Sequence, residues 1–424
     1  MKILITTDLY SPTINGVVTS VLNLKEELEK MGNEVRVLTL SNKSYSYYKN
    51  GVYYIKSFPL KIYPGVRATV SFRDPVIKSA INFKPDLIHT QCEFSTLVIA
   101  KIIARKIHCP IVHTYHTMYE YYVKYITRHD KPLKKALKSI MHRLLEKCDV
   151  LIAPTEKVKN SLRSYGLKNK IAVIPTGIDL SVHKKSFDLD DIKNLKKSLG
   201  IDLHKKVLLF LGRIAQEKNL LEIVYNFKYL VKDDDSFVLL IAGDGPYKKE
   251  LENIVSEFNL ENRVFFTGMI KPSDTYKYYR LSDIFISASN SETQGLTYIE
   301  AMVNGLPELV KYDDCLKGLL EEGKNGFYFS NAEEFKSGIN KIFENSEIYA
   351  SMKKNAMASG NKYSKEEFAK SVFEVYKSAI KNYKIPKKYS TLMLRKIKIG
   401  GKRQFRKLKK IPLPLLNKLK NRLD

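Results

Sequence analysis

KILITTDLYSPTINGVVTSVLNLKEELEKMGNEVRVLTL, running from Lys2 to Leu40, divides into three pieces with different periodicities. Lys2 to Thr7 is an apolar run that stops at a loop, Asp8 to Gly16. Val17 to Met31 has helical spacing. Glu34 to Leu40 is a second apolar run, reached through the turn Met31-Gly32-Asn33. Apolar runs of this length suit strands buried on both faces, and a helix between two of them makes a βαβ unit of a parallel sheet. The alternation continues. Strands are expected at Leu87 to His89, Ile111 to Thr114, Val150 to Ala153 and Ile171 to Ile174, with helices such as Ser95 to Lys106 and Pro132 to Lys147 between them. It then starts afresh at Val207 to Phe210, Phe237 to Ile241, Arg263 to Phe266, Ile284 to Ser287 and Glu308 to Val310. A polar stretch, Leu180 to Lys197, separates the two series. The expected fold class is α/β, with two doubly wound domains: residues 1–180, residues 181–360, a helix over 361–383, and a basic tail over 384–424.

The length of 424 residues agrees with two domains of roughly 200 residues each. No stretch approaches the roughly 20 apolar residues of a membrane span, so any membrane contact is expected to be peripheral. The four cysteines have neither metal-site nor disulfide spacing, which suits a reducing cytoplasm, and no metal site is expected. The formal charge of +27 calls for an anionic partner. From Lys384 to Asp424 there are 15 Lys or Arg and one acid, so +14 of the +27 lies in the tail. Apolar residues such as Leu392, Ile397, Phe405 and Leu415 interleave with those cations, a pattern suited to the bilayer interface. A nucleic-acid-binding protein would also use such charge, but no RRM, KH, helix-turn-helix or zinc-finger signal accompanies it.

The chemistry is expected where strands meet loops. Asn15-Gly16 follows the first loop and opens a helix, where a glycine lets backbone amides approach phosphate. Neither GxGxxG nor GxxxxGK[ST] occurs, which argues against an ordinary dinucleotide enzyme or P-loop NTPase. In the second series, Gly212-Arg213-Ile214-Ala215-Gln216-Glu217-Lys218 puts two cations just past a strand, where both can address one diphosphate. Gly243-Asp244-Gly245-Pro246 is a tight turn after the next strand. SASNSETQGLTYIEAMVNGLP, Ser287 to Pro307, sets Glu292 before a turn at Gly295 and Glu300 inside the following helix. Backbone amides near Gln294, Gly295 and Leu296 can attract a phosphate, Glu300 can accept ribose hydroxyls, and Glu292 can hold sugar hydroxyls.

The run Glu292 to Glu300 resembles the E-x7-E signature of the retaining family 4 glycosyltransferases of the GT-B type, in order with Gly212-Arg213, Lys218 and Gly243-Asp244-Gly245. HTQCEF at 89–94, HTYHTMYEYY at 113–122 and SETQGLTYIEAM at 291–302 further resemble bacterial diacylglycerol glucosyltransferases and phosphatidylinositol mannosyltransferases. The resemblance implies two facing Rossmann-like domains with a deep interdomain cleft, the donor held mainly by the second and the acceptor by the first. It implies Gly16 and Gly243 as donor-loop positions, His116 as the first-domain active-site histidine, Arg213 and Lys218 as the diphosphate clamp, and Glu292 and Glu300 as sugar and ribose ligands. It further implies that the C-terminal helix crosses back to the first domain. The substrates implied are UDP-glucose and diacylglycerol, giving an α-glucosyl product, with no tightly bound cofactor and with activation by anionic lipid. Phosphatidylinositol, a glycolipid or a polyprenyl-linked glycan are the alternative acceptors.

Between Lys131 and Lys147, Lys131, Lys134, Lys135, Lys138, Arg143 and Lys147 stand against Glu146 alone, and Leu133, Leu137, Ile140 and Leu144 share a helical face. The pattern fits an ordinary helix packed on its sheet, and, with Tyr119, Tyr121, Tyr122 and Tyr125, it also fits a surface that meets anionic lipid at the cytoplasmic face of the cell membrane.

Overall fold

A computed structural model describes residues 1–13, 15–60, 67–120 and 130–385, with backbone alone at 130–133. Tyr121, Tyr122, Tyr125, the Lys131 side chain and the tail beyond Ile385 lie outside the described residues.

The strands are β1 (Lys2–Thr6), β2 (Glu34–Ser41), β3 (Tyr47–Lys49), β4 (Val52–Lys56), β5 (Phe58–Pro59), β6 (Arg67–Ala68), β7 (Leu87–Thr90), β8 (Ile111–Thr114), β9 (Val150–Ala153) and β10 (Lys170–Val173). After the break come β11 (Lys206–Leu211), β12 (Phe237–Ala242), β13 (Val264–Phe266), β14 (Ile284–Ser287), β15 (Glu308–Lys311) and β16 (Gly326–Phe329). The first large sheet runs β10-β9-β8-β7-β1-β2-β4-β3, and the second β13-β12-β11-β14-β15-β16. Every pairing in the two is parallel except β3 on β4.

Each sheet is packed on both faces because its strands are apolar throughout. Leu4 joins one core and its neighbours Ile3 and Ile5 the opposite one. Leu208 and Phe210 likewise alternate with Val207 and Leu209. Each sheet also reverses its winding once, between β1 and β7 in the first and between β11 and β14 in the second. At such a switch point the loops leave the strand ends in opposite directions and open a crevice.

The helix Lys365–Asn382 belongs by sequence to the end of the second unit and by packing to the first. Phe368, Ala369, Val372, Tyr376 and Ala379 lie in the core that covers β1 and β2. Its start is held where Ile178 N donates to Tyr363 O and Lys365 N donates to Ile178 O, each at 2.9 Å. A Cβ on Gly177 would sit 2.2 Å from Ser364 O, so only glycine permits that approach. The Lys365 ammonium, nearly buried, is ringed by Glu26, Glu27 and Asp179.

In the helix Asp130–Leu145, Leu137 and Leu144 of the apolar face pack against the core, Ile140 does not, and the Leu133 side chain lies outside the described residues. Met141 and Leu145 are fully buried with Leu137 and Leu144 beside them, whereas Ile140 is 40% exposed. Lys138 is used within the protein, donating to Ser164 Oγ at 3.1 Å and lying 3.9 Å from Glu120. Lys135 and Arg143 are exposed. No described helix is long and apolar enough to cross a membrane.

Candidate active site at the facing switch points

Most of the residues singled out above stand on loops after β1, β8, β11 and β14. The β11 loop carries Arg213 and Lys218, and two glycines of the neighbouring loop hold it in place. A Cβ on Gly243 would lie 1.9 Å from Gly212 O, and one on Gly245 2.1 Å from Ile214 O. The two loops are instead bonded backbone to backbone, Gly212 N to Ala242 O and Ile214 N to Asp244 O, both at 2.9 Å. Arg213 is half-buried there, and burial pulls its pKa below the usual arginine value against the opposing field of Glu217.

Lys218 does not stand alone: its ammonium donates to Glu292 Oε1. Burial alone would raise the Glu292 pKa, but Lys218, Ser289 and Lys157 outweigh it, so the carboxyl titrates below its ordinary range. Glu300 is in the opposite state. Burial pushes it up to about 7, and one hydrogen bond, from Tyr279 OH to Oε2 at 2.9 Å, only partly counters that.

Between these carboxylates the helix Leu296–Val303 begins at Gly295, whose φ of 76° is the left-handed conformation glycine favours. No side chain caps it and no acid sits in its first turn, so its amides and helix field are open to an anion. Gly16 opens the first-domain helix opposite, Gly16–Lys30, and a Cβ there would lie 3.7 Å from Leu296 Cδ1. The structure thus brings Gly16, Gly295 and Leu296 together across the cleft. The Gln294 side chain turns away and bonds both ways with the Thr176 backbone, at 2.8 and 2.9 Å.

His116, just after β8, has its Nε2 2.6 Å from Gln91 Oε1. Burial, helped by His113, lowers its pKa to about 3, so the ring is neutral.

Several groups at the cleft went unread in the sequence. Lys157, from the helix Glu156–Ser164, bonds Asp313 at 2.6 and 2.7 Å and Glu292 O at 2.9 Å, joining the domains beneath Glu292. On the first-domain side Asp8, pushed up to about 6 by burial, accepts from Thr96 N, and Glu93 accepts from Tyr119 OH at 2.6 Å. These partners are brought in from distant parts of the chain and left no local spacing to read. Among the described residues no group of three or more His, Cys, Asp or Glu is placed to hold a metal.

Two doubly wound sheets facing across a cleft, with cations after β11 and two carboxylates around an open helix N-terminus after β14, define a nucleotide-sugar-dependent glycosyltransferase of the GT-B type. Comparison with known sequences agrees: residues 14–182 match the model described as Glycosyltransferase Family 4, and residues 191–359 that described as Glycosyl transferases group 1. The chain belongs to glycosyltransferase family 4 and is related to the bacterial alpha-monoglucosyldiacylglycerol synthases. It is 35% identical to the alpha-monoglucosyldiacylglycerol synthase of Streptococcus pneumoniae, over 90% of this chain and 86% of that one. To the enzyme of that name from Acholeplasma laidlawii it is 34% identical, over 92% and 100%. Among solved structures, Anabaena HepE in complex with UDP-glucose shares the fold, with a TM-score of 0.71 and 19% identity over 89% of this chain and all of that one.

Proposed function

We propose that this protein transfers glucose from UDP-glucose to the sn-3 hydroxyl of 1,2-diacylglycerol with retention of configuration, giving α-glucosyl diacylglycerol. The likeness to two alpha-monoglucosyldiacylglycerol synthases over nine-tenths of the chain carries this reading, and the site geometry supports it. In the reaction the bond from glucose C1 to the UDP oxygen breaks, a bond from C1 to the acceptor oxygen forms, and the hydroxyl proton passes to the departing phosphate. Negative charge grows on that phosphate, so Arg213, Lys218 and the amides at Gly16, Gly295 and Leu296 act where they stabilise the transition state more than the ground state. Glu292 holds sugar hydroxyls and releases Lys218 toward the diphosphate, Glu300 holds the ribose, and His116 orients the sugar. Glu292 and Glu300 are eight residues apart on the same side of the donor and are not the facing pair a glycosidase needs. The protein works peripherally at the cytoplasmic face of the membrane, with anionic lipid as activator.

The test is product identification. Purified protein in mixed micelles with diacylglycerol and a panel of labelled nucleotide sugars is expected to yield α-glucosyl diacylglycerol, with the anomer assigned by NMR. Arg213→Ala is expected to lower kcat/KM by at least about tenfold, the loss of a charge-assisted hydrogen bond, with circular dichroism unchanged. A β product, or no glucosyl lipid at all, rejects the reading.

A further inference from the structure

His116 is tied to a part of the molecule that the reaction does not otherwise use. Its Nε2 meets Gln91 Oε1, and Gln91 Nε2 lies 3.2 Å from both ring nitrogens of His89. Each of those nitrogens already has a closer partner, Tyr376 OH on Nδ1 at 2.6 Å and Thr114 Oγ1 on Nε2 at 2.7 Å. The Gln91 amide therefore rests against the imidazole and is not in line with either lone pair. His89, Gln91, Thr114 and Tyr376 are all buried to within 1% of complete, and Tyr376 comes from the crossing helix, 287 residues along the chain from His89.

We infer that Tyr376, His89 and Gln91 form a positioning relay that fixes which nitrogen of His116 is left for the substrate, so that the C-terminal crossing helix sets the state of the cleft histidine. The step rests on the role given to His116 above. Tyr376, a phenol and so a better donor than the aliphatic hydroxyl of Thr114, donates to His89 Nδ1, and His89 Nε2–H then donates to Thr114, so the two hydroxyls fix the plane of the ring and with it the face that Gln91 meets. The face of a neutral imidazole is electron-rich and attracts the NH2 end of the Gln91 amide, not its oxygen. That turns Oε1 toward His116. An oxygen acceptor requires His116 Nε2 to carry the hydrogen, and His116 Nδ1 is then the acceptor for a sugar hydroxyl. Were the amide reversed, its NH2 would face His116 Nε2 and force the other tautomer, and the cleft would offer a donor where the reaction uses an acceptor.

The relay is tested on the full chain with 15N-labelled histidine, using long-range 1H–15N spectra in which each tautomer has its own pattern, His116 being assigned by its loss in His116→Gln. Wild type is expected to show His116 with hydrogen on Nε2. Tyr376→Phe keeps the ring in the core and removes only the hydroxyl. It is expected to move His116 toward a mixture of tautomers and to lower kcat about three- to tenfold, the worth of one buried hydrogen bond, while the KM for UDP-glucose stays within about twofold. Val372→Ala loosens the same helix without touching the relay, and is expected to lower Tm while leaving the His116 pattern intact. An unmoved His116 pattern, or an unmoved kcat, in folded Tyr376→Phe overturns the relay. The spectra report it even if diacylglycerol is not the acceptor, and the product assay stands even if the relay fails.

Discussion

Glu292 and Glu300 are the same side chain eight residues apart, and the fold drives their protons in opposite directions. Glu292 meets an ammonium and stays charged below its usual range. Glu300 meets only a phenol and is raised to about 7. A ribose ligand must accept two hydroxyl hydrogens, and the ionised carboxylate does this best. If Glu300 holds the ribose as proposed, it should bind the donor weakly below about pH 7, where it is mostly protonated, and better above it, where the carboxylate is available. The KM for UDP-glucose is therefore expected to fall as pH rises from about 6 to 8, over a range in which the donor's diphosphate diester does not titrate. In Glu300→Gln the KM should be high and flat over the same range. A wild-type KM independent of pH would remove Glu300 from the ribose. The pair itself was legible because both carboxylates sit in one run around a glycine turn. What separates them was not, since Tyr279 and Lys218 come from other elements and nothing local announces them.

At the scale of elements, the long buried strands were legible as apolar runs because each is covered on both faces. The short β3–β4 hairpin was passed over although Asn50-Gly51 marks its turn with the positive φ values, 49° and 77°, that such turns require. The face of the Asp130–Leu145 helix was legible only in part, through Leu137 and Leu144: spacing alone fits several apolar stripes, and packing in the first-domain core turns Met141 and Leu145 inward and leaves Ile140 exposed. Strand β15 holds a feature that contradicts ordinary patterning. Glu308 opens it between Phe285 on β14 and Gly326 on β16, fully buried, with neither carboxyl oxygen hydrogen-bonded among the described residues. Burial raises its pKa well above the usual range. The folded state thus holds a proton that the unfolded chain releases once pH passes the ordinary glutamate value of 4.5. The contribution of that protonated carboxyl is fully present below 4.5 and declines as pH climbs toward the folded pKa. Glu308→Leu is expected to stabilise the protein by about 1–3 kcal/mol, the cost of an unsatisfied buried polar group. The gain over wild type should be larger at pH 7 than at pH 5. Urea unfolding at the two pH values measures both. A destabilised Glu308→Leu, or a gain independent of pH, would show that the carboxyl has a partner in solution.

Ties across the whole molecule include the buried pair Lys157–Asp313, the nearly buried Lys365 ammonium with its three carboxylates, the Gln294–Thr176 bonds, and the crossing helix in the first-domain core. None of these accounts for the +27 charge, of which +14 lies between Lys384 and Asp424. Colloidal stability needs far less, and an anionic surface gains roughly 1 kcal/mol for each cation it meets, so even part of the tail would suffice for the proposed hold on an anionic membrane. The tail follows the crossing helix in the sequence, and that helix is anchored on the first domain, so under the proposed function a tail held at the bilayer would keep that domain near the lipid acceptor. The body's contribution is smaller than the charge of 131–147 suggests, because Lys138 bonds Ser164 and lies near Glu120, and among the described side chains of this segment the exposed cations are Lys135 and Arg143. In vesicle flotation, wild type is expected to float with anionic vesicles, to bind neutral ones weakly, and to lose most of its binding between low salt and 1 M, where screening shortens to about 3 Å. Truncation after Tyr383 should remove most of the binding, and adding Lys135→Gln and Arg143→Gln most of the remainder. UDP-glucose affinity should persist in all three chains, because Arg213, Lys218 and Glu300 lie on the other domain. Should the truncated and neutralised chain float like wild type and use diacylglycerol at the same rate, the tail would have no part in reaching the lipid, and its charge would answer to a different anionic partner.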